Sequence, residues 1–473
     1  MPAETSVTID VLILAAGLGT RMKSRRAKVL HRAGGLSLIE HVVDAALAIT
    51  TPERITVVVG HHGDQVKALL KRTGVGFAEQ KEQKGTGHAV MCARDVVSRD
   101  AQLLMVLYGD TPLLSSATLH TLGESQRHSR AAATVITTDL EDPTGYGRVI
   151  LDAHGDLETI VEQKAATPEQ LLVHRINSGI YCFRAPVLWK HIDQIGCDNP
   201  AGEFYLTDIV SVLRAAGETV AAMRVSNTSE LLGINTRIEL AEVDHVFRRR
   251  KIRELMLAGV TIEKAETVSI DNQVRIGMDT VIEPFVRILG NTEIGEDCRI
   301  GAGSIIEDSR LGSNIDVQPY TLIRSAQVGE SARLGPFSRL RPDTHVGANA
   351  HVGNFVELKN TRLGDGAKAN HLAYLGDSDI GEKVNVGAGT ITCNYDGFEK
   401  HRTRIGSGAF IGSNATLVAP IDIGDGSYVG AGSVITDPVP PNALALGRGR
   451  QVNKAGWIRK KKSLTAPLPD DKR

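Results

Sequence analysis

The stretch that decides the fold starts as IGMDTV (276–281) and returns as IGEDCR (294–299), IGAGSI (300–305) and LGSNID (311–316). It continues as VGESAR (328–333), LGPFSR (334–339), VGANAH (346–351), VGNFVE (352–357), LGDGAK (363–368), IGEKVN (380–385) and VGAGTI (386–391). An aliphatic residue followed by a glycine thus recurs at a six-residue step. Three such hexads make one triangular coil, with the aliphatic side chain pointing inward from each face and the small residue turning the corner. A coil buries its interior only by stacking on the next, so a ladder of this length predicts a prism-shaped parallel β-helix. The phase is lost once, over NYDGFEKHRTR (Asn394–Arg404). It then resumes as IGSGAF (405–410), IGSNAT (411–416), IGDGSY (423–428) and VGAGSV (429–434). A polar, Gly-containing excursion from a rigid wall is where a solenoid would hold a ligand.

Toward the N-terminus the pattern changes. Between Val7 and about Ala222, apolar runs such as VTIDVLILAAG, RITVVVGHH, QLLMVLYGD, AAATVITT and NSGIYCF read as strands. They alternate with SLIEHVVDAALAI, DQVKALLKR, AVMCARDVVS and SATLHTLGESQ, which have helical spacing. Such alternation predicts an α/β domain with a mainly parallel sheet and its ligands at the carboxyl ends of the strands. The charged, amphipathic run Arg237–Leu257 contains neither Pro nor Gly and reads as one helix leading into the repeat. The expected organisation is an α/β domain over 1–236, a linker helix over 237–259, the β-helix over 260–446 and a basic tail over 447–473.

At 473 residues the chain is too long for one compact core. Its formal net charge of -1 gives no bulk attraction to nucleic acid, and no apolar run is long enough to span a bilayer. The basic residues concentrate instead after Leu446, where the run from Lys460 onward reads as a solvated, partly disordered tail. Arg448 and Arg450, close to the last coil, are better placed to meet phosphate. Five scattered cysteines without a CxxC pair favour a reducing compartment. The first residues lack a signal peptide's basic and apolar regions, so the expected location is cytoplasmic.

Directly after the first apolar run stands LILAAGLGTRM (Leu12–Met22), with Lys28 soon after. Gly17 and Gly19 let backbone approach a phosphate closely, and Arg21 and Lys28 place positive charge beside it. The spacing is neither GxGxxG nor GxxxxGK[ST], which disfavours a dinucleotide site and a P-loop. A glycine turn after a strand reads equally as an ordinary turn. YGDTP (Tyr108–Pro112) adds a second signal, because a carboxylate at a strand end, Asp110, suits Mg²⁺ held against a triphosphate. A turn-capping Asp is the plainer reading of that residue alone.

These motifs, with QKGTGHA (Gln83–Ala89), YGR (Tyr146–Arg148), VEQK (Val161–Lys164), NSGIY (Asn177–Tyr181) and GINTR (Gly233–Arg237), resemble a sugar-nucleotide pyrophosphorylase. They are similar, in order, to the uridylyltransferase half of the bacterial enzymes that join UMP to N-acetylglucosamine-1-phosphate. The resemblance implies a Rossmann-like nucleotidyltransferase domain in which Arg21 and Lys28 act on the phosphates of UTP, beside Leu14, Ala15 and Gly17. It implies Asp110 and Asn235 for Mg²⁺, and Gln80, Gly85 and Thr86 for uracil. Gly147, Glu162 and Asn177 would bind the N-acetylated sugar. One departure is Ala27, where the family usually has Pro before the lysine; without that ring the loop carrying Lys28 is expected to be less stiff.

A β-helix behind such a domain can be plain scaffold, and a lone histidine on its wall is ordinarily a surface residue. Here, however, the coils before the excursion collect Arg341, Glu357, Lys359, His371 and Tyr374, and His371 interrupts the hexad. This set resembles the acetyltransferase half of the same bifunctional family. The resemblance implies a left-handed β-helix in which His371 is the general base, with Arg341, Lys359, Tyr374 and Asn385 at the glucosamine-1-phosphate site. Glu357 is a candidate for orienting that cluster. Ala388, Asn394, Tyr395, Ser413, Ala431 and Arg448 would line the acetyl-CoA groove, and Cys393 adjoins it. It further implies a homotrimer with sites shared between subunits, acting on small molecules only. The expected function is acetylation of glucosamine-1-phosphate from acetyl-CoA, then uridylyl transfer from UTP. A single-activity nucleotidyltransferase with a structural β-helix is the enzymatic alternative. An assembly subunit of the same layout is the non-enzymatic one, and it would have no need of Lys28 and Asp110.

Overall fold

The computed structural model describes residues 7–199 and 202–465. Its contacts divide the chain into two compact units that meet in sequence at Lys251 and Ile252, within the helix Arg237–Leu257.

The first unit is built on nine strands: β1 (Ile9–Leu14), β2 (Ile55–Val59), β3 (Gly76–Glu79), β4 (Leu103–Tyr108), β5 (Ala133–Asp139), β6 (Arg148–Leu151), β7 (Leu157–Val161), β8 (Arg175–Arg184) and β9 (Val220–Arg224). The main sheet runs in the order β9-β5-β8-β4-β1-β2-β3, with β6 and β7 off its path. β3, β2, β1 and β4 form a parallel core, and β9 runs parallel to β5. β8 runs antiparallel to both β4 and β5. β1, β2 and β4 are near-continuous apolar runs because helices cover both faces of the parallel core. Among those helices are α1 (Leu38–Leu47), α2 (Gly63–Leu70), α3 (Thr86–Cys92) and α4 (Ser116–His128). Ser37 caps α1 in a capping box with Glu40, and the Ser115 side chain caps α4. The carboxyl ends of β1 and β4 are therefore fixed side by side, by pairing from Ile9↔Leu103 to Leu14↔Tyr108.

The second unit is the parallel β-helix that the hexads predict, left-handed as the resemblance implies. Its strands form three parallel sheets, the first running from Thr261–Ile262 to Leu444–Ala445, the second from Ser269–Ile270 to Val434–Ile435 and the third from Arg275–Ile276 to Ile421–Ile423. The hexad aliphatics, among them Ile294, Ile300, Leu311, Val328, Leu334, Val346 and Leu363, form one continuous buried core. The glycine that follows is a packing requirement. A Cβ on Gly364 would stand 2.6 Å from the Gly381 carbonyl carbon of the next coil. The excursion enters at a corner between the second and third sheets. In the first sheet it lengthens one coil, so that Asn385 pairs with Phe410, whereas Lys368 pairs with Asn385.

One expectation changes and a second gains detail. The helix Arg237–Leu257 buries Val243, Phe247, Lys251, Ile252 and Leu255 at roughly four-residue steps, yet leaves Ile238 and Leu257 exposed. It is therefore only weakly amphipathic, since a lysine occupies the buried stripe and leucines and isoleucines fall outside it. The tail is solvated as expected, and within its described residues Trp457–Thr465 is a helix, with its side chains from Trp457 to Lys462 exposed. That run has no Pro or Gly to interrupt a helix. The tail beyond residue 465 lies outside the described residues, as do the first six.

Two candidate active sites

At the carboxyl ends of β1 and β4 the first unit opens into a cleft of about 510 Å³. Leu14, Ala15, Gly17 and Lys28 line it from the β1 side, and Gln80, Gly85, Thr86, Asp110 and Asn235 from the others. Gln80 is buried and donates from Nε2 to the Gly85 carbonyl (2.9 Å), which shapes the turn before α3. Gly85 is required there, because its φ is 103° and a Cβ would sit 2.5 Å from the Phe204 carbonyl oxygen.

At the mouth of β4, Lys28 Nζ bonds to Asp110 Oδ2 and, at 3.2 Å, to Asn235 Oδ1. Arg21 Nη2 donates to the same Asn235 oxygen at 2.8 Å. A carboxylate and an amide oxygen therefore converge on one cationic centre. That hard-oxygen donor pair fits Mg²⁺, which completes its coordination with water and phosphate oxygens. Among the described residues no cluster of three or more His, Cys, Asp or Glu offers an all-protein cage. Ala27 has φ −55° and ψ 139° and is buried, so its backbone already adopts the conformation a proline would impose.

The residues expected at the sugar lie beyond Tyr108. Asn177 receives Tyr181 and Gly179 as partners, donating from Nδ2 to the Tyr181 hydroxyl (2.9 Å) and accepting from the Gly179 N–H (3.0 Å). Its own N–H donates to the Gly147 carbonyl at 2.9 Å. Gly147 faces Glu162, and a Cβ on it would come within 3.6 Å of Glu162 Oε1. Burial pushes the Glu162 carboxyl up, against the hydrogen bond it accepts from Thr207 Oγ1 at 3.2 Å. Thr207 and Glu203 were not singled out from sequence, and Tyr108 entered only as the first residue of the YGDTP motif. Glu203 and Thr207 lie in a segment that carries no pattern of its own, and it is brought to the cleft by the Lys84–Phe204 and Gly87–Phe204 backbone bonds and by the Leu206 N–H donating to Thr86 Oγ1 at 3.0 Å.

On the β-helix the residues divide between the two edges of the second sheet. At its edge toward the third sheet, Arg341 donates to Glu357 Oε1 (2.9 Å) and Lys359 to Asp377 Oδ2 (3.2 Å). Asp377 also accepts from Asn360 Nδ2 (2.6 Å) and from Asn394 Nδ2. Burial pushes the Asp377 carboxyl up, but those amide bonds and the Lys359 ammonium outweigh it and hold the group below its ordinary value. Asp377 was also missed; it ties the phosphate-binding candidate Lys359 to the excursion residue Asn394. Tyr374 pairs with Glu357 across the coils, and its hydroxyl leans over Gly376, opposite Lys359.

At the other edge, between the first and second sheets, stands His371. The corner positions that follow it coil by coil carry Ala388, Ser413 and Ala431. Ala388 O accepts from Asn414 N (2.7 Å), Ser413 O from Gly432 N (2.8 Å) and Ala431 O from Arg448 Nη1 (2.7 Å). Four of the acetyl-CoA candidates thus form one column leading to His371. Asn394 and Tyr395 stand across the second sheet from that column, in a hairpin closed by the Tyr395–Lys400 bridge. Asn385 lies in the first sheet beside Lys368, so a single chain does not bring it to Lys359 and Tyr374. Cys393 is a half-buried free thiol at the strand end before the excursion.

Residues 11–175 match the MobA-like NTP transferase domain family, and residues 273–308 and 402–437 match the bacterial transferase hexapeptide (six repeats) family. Along nearly its whole length the chain is also similar to curated bifunctional proteins. It is 56% identical to the bifunctional protein GlmU of Solibacter usitatus over 456 residues, 96% of this chain and 98% of that protein. Identity to the GlmU of Koribacter versatilis is 50%, covering 97% and 98% of the two chains. For the GlmU of Alkaliphilus metalliredigens it is 46%, covering 96% and 98%. Likeness of this extent runs through both units and both clusters, and the chain belongs to the GlmU family of bifunctional proteins.

Proposed function

We propose that this chain acetylates glucosamine-1-phosphate from acetyl-CoA on its β-helix. Its α/β domain then transfers UMP from UTP to the N-acetylglucosamine-1-phosphate so formed, giving UDP-N-acetylglucosamine and pyrophosphate. One observation supports this reading above others: two separate polar clusters, one at a strand-end phosphate cleft and one across a solenoid wall, occur in a single chain of this family.

In uridylyl transfer, a sugar-phosphate oxygen attacks the α-phosphorus of UTP in line, and the bond to pyrophosphate breaks. Such a transfer asks for alignment and charge neutralisation more than covalent help. Lys28 and Arg21 neutralise the phosphates, Gln80, Gly85 and Thr86 receive the base, and Gly147, Glu162 and Asn177 hold the sugar. Mg²⁺, held by Asp110 and Asn235, supplies further charge neutralisation when bound.

In acetyl transfer, the glucosamine nitrogen attacks the thioester carbonyl carbon, and the carbon–sulfur bond breaks. His371 removes the amine proton and returns one to the departing thiolate of CoA. An imidazole suits that exchange near neutral pH. Arg341 and Lys359 hold the sugar phosphate at one edge of the sheet, while the corner column from Arg448 to Ala388 guides acetyl-CoA to the other. Asn385, Asn394 and Tyr395 reach the same substrates from a neighbouring copy in a homotrimer, whose flat faces pack around a threefold axis. The enzyme works in the cytoplasm on small molecules and feeds cell-wall and lipopolysaccharide precursor synthesis.

The test is release of free CoA thiol from acetyl-CoA and glucosamine-1-phosphate, with UTP left out. Sugar-dependent release is expected, and its absence from folded protein would reduce the β-helix to scaffold. His371→Ala should abolish this release and spare uridylyl transfer, whereas Asp110→Ala should do the reverse. Loss of both activities in either folded variant would contradict two independent sites.

A further inference from the structure

Asn354, whose side chain faces His371, belongs to neither substrate cluster. His371 Nδ1 lies 2.8 Å from Asn354 Oδ1, and among the described residues this is the one hydrogen bond to the ring. Asn354 is the Cα partner of His371 in the neighbouring coil. The pairing is built for this contact. Other strands of the first sheet are two residues long, but His351–Asn354 and Lys368–His371 each run to four. Gly353 permits the extension, since a Cβ there would stand 1.9 Å from the Asn370 carbonyl oxygen. Leu372 N closes the end of the ladder by donating to the Asn354 carbonyl at 3.0 Å.

We propose that Asn354 is the positioning residue of acetyl transfer, fixing both the orientation and the tautomer of His371. This rests on His371 being the base. An amide oxygen can only accept, so the ring must carry its proton on Nδ1. Nε2 then keeps its lone pair and is the atom that takes the proton from the substrate amine. Without Asn354 the exposed ring would rotate freely and divide between two tautomers, only one of which presents a base. The carbonyl that the amide supplies is neutral, so it orients the ring without lending it a charge. The charged and titratable groups on the strands packed against it are His351 and Lys368, with Arg333 one coil earlier. Tyr374 and Glu357 follow on the next sheet.

Two variants separate positioning from plain structural support. Asn354→Leu removes the acceptor and should lower kcat for acetyl transfer about tenfold or more, a part of the roughly 10²–10⁴ that the general base itself contributes. KM for both substrates and the uridylyl rate should stay near wild type. Asn354→Asp restores an acceptor but adds a negative charge, which favours the imidazolium. It should recover much of kcat while moving the acid limb of the kcat/KM profile upward by about one pH unit. A wild-type kcat and pH profile in Asn354→Leu would overturn the proposal, as would an unmoved acid limb in Asn354→Asp. His371→Ala, run in parallel, isolates the parent reading: full acetyl transfer in that variant would remove the base itself, whatever the Asn354 variants do.

Discussion

Asp377 shows how much one buried carboxylate can organise. Its side chain is 10% exposed and receives Lys359, Asn360 and Asn394 together. Because these partners hold its pKa below the ordinary value, the ionised form contributes stability that is fully present above the unfolded carboxylate value near pH ~3.9. That contribution is lost as pH falls through the lower folded value. Asp377→Asn should therefore cost about 2 kcal/mol at neutral pH, the scale of hydrogen bonds to a charged group. Thermal melts of both proteins across pH check this: the gap should begin to close only below about pH 4. A gap that is unchanged in strong acid would assign the loss to packing instead. Residues of this kind were illegible in the sequence for a physical reason. Lys28, Asp110 and His371 announce themselves by breaking a local pattern, at a glycine turn, a strand end and a hexad. Asp377 and Asn354 act on partners a full coil away, and their meaning depends on the register of stacking.

At the scale of the element, the hexad is readable because each of its two defining residues answers one constraint. The aliphatic side chain fills the core, and the glycine yields room to the next coil. Corner glycines are not all alike, however. Gly364 has an ordinary φ, but its Cβ would stand 2.6 Å from the Gly381 carbonyl carbon and 2.7 Å from the Glu382 nitrogen. Gly408 has φ 67° and nothing within 4 Å. Gly364→Ala forces backbone apart and should cost about 1–3 kcal/mol or more, as overpacking does. Gly408→Ala meets only the left-handed backbone penalty of about 1–2 kcal/mol. Chemical denaturation of the two variants should rank them in that order, and a reversal would mean that backbone conformation rather than coil spacing sets the corner. The excursion follows different rules. Its shape comes from Asp396, which accepts from the Glu399 N–H (2.7 Å), His401 Nε2 (2.7 Å) and the Phe398 N–H (2.8 Å). These bonds hold the Asp396 carboxyl well below the usual range. Loss of phase marked where this loop begins and ends, but its hairpin form rests on side-chain bonds that no periodicity reveals.

For the whole molecule, the two clusters lie in separate units, and in the second unit the residues proposed for one substrate do not all meet within a single chain. Arg341, Lys359 and Tyr374 belong to the second sheet and its edge, whereas Asn385 projects from the first. If all four hold one sugar phosphate, two copies of the chain must meet, each supplying a different face. That requirement gives a test of the shared site that does not depend on measuring oligomer size. Lys359→Ala and Asn385→Ala, each alone, should be severely impaired in acetyl transfer, since every site lacks one residue. In trimers assembled from an equal mixture of the two, a site draws its second-sheet residues from one subunit and Asn385 from its neighbour. About a quarter of such sites then combine an intact Lys359 with an intact Asn385 under random assembly. Coexpression should therefore restore acetyl transfer to about a quarter of the wild-type rate, while the uridylyl rate stays the same in every sample. Mixing the purified variants without dissociating them should restore nothing, because subunits must exchange before hybrid sites form. Coexpressed variants that remain as inactive as either parent would place the whole acetyl-transfer site within one chain.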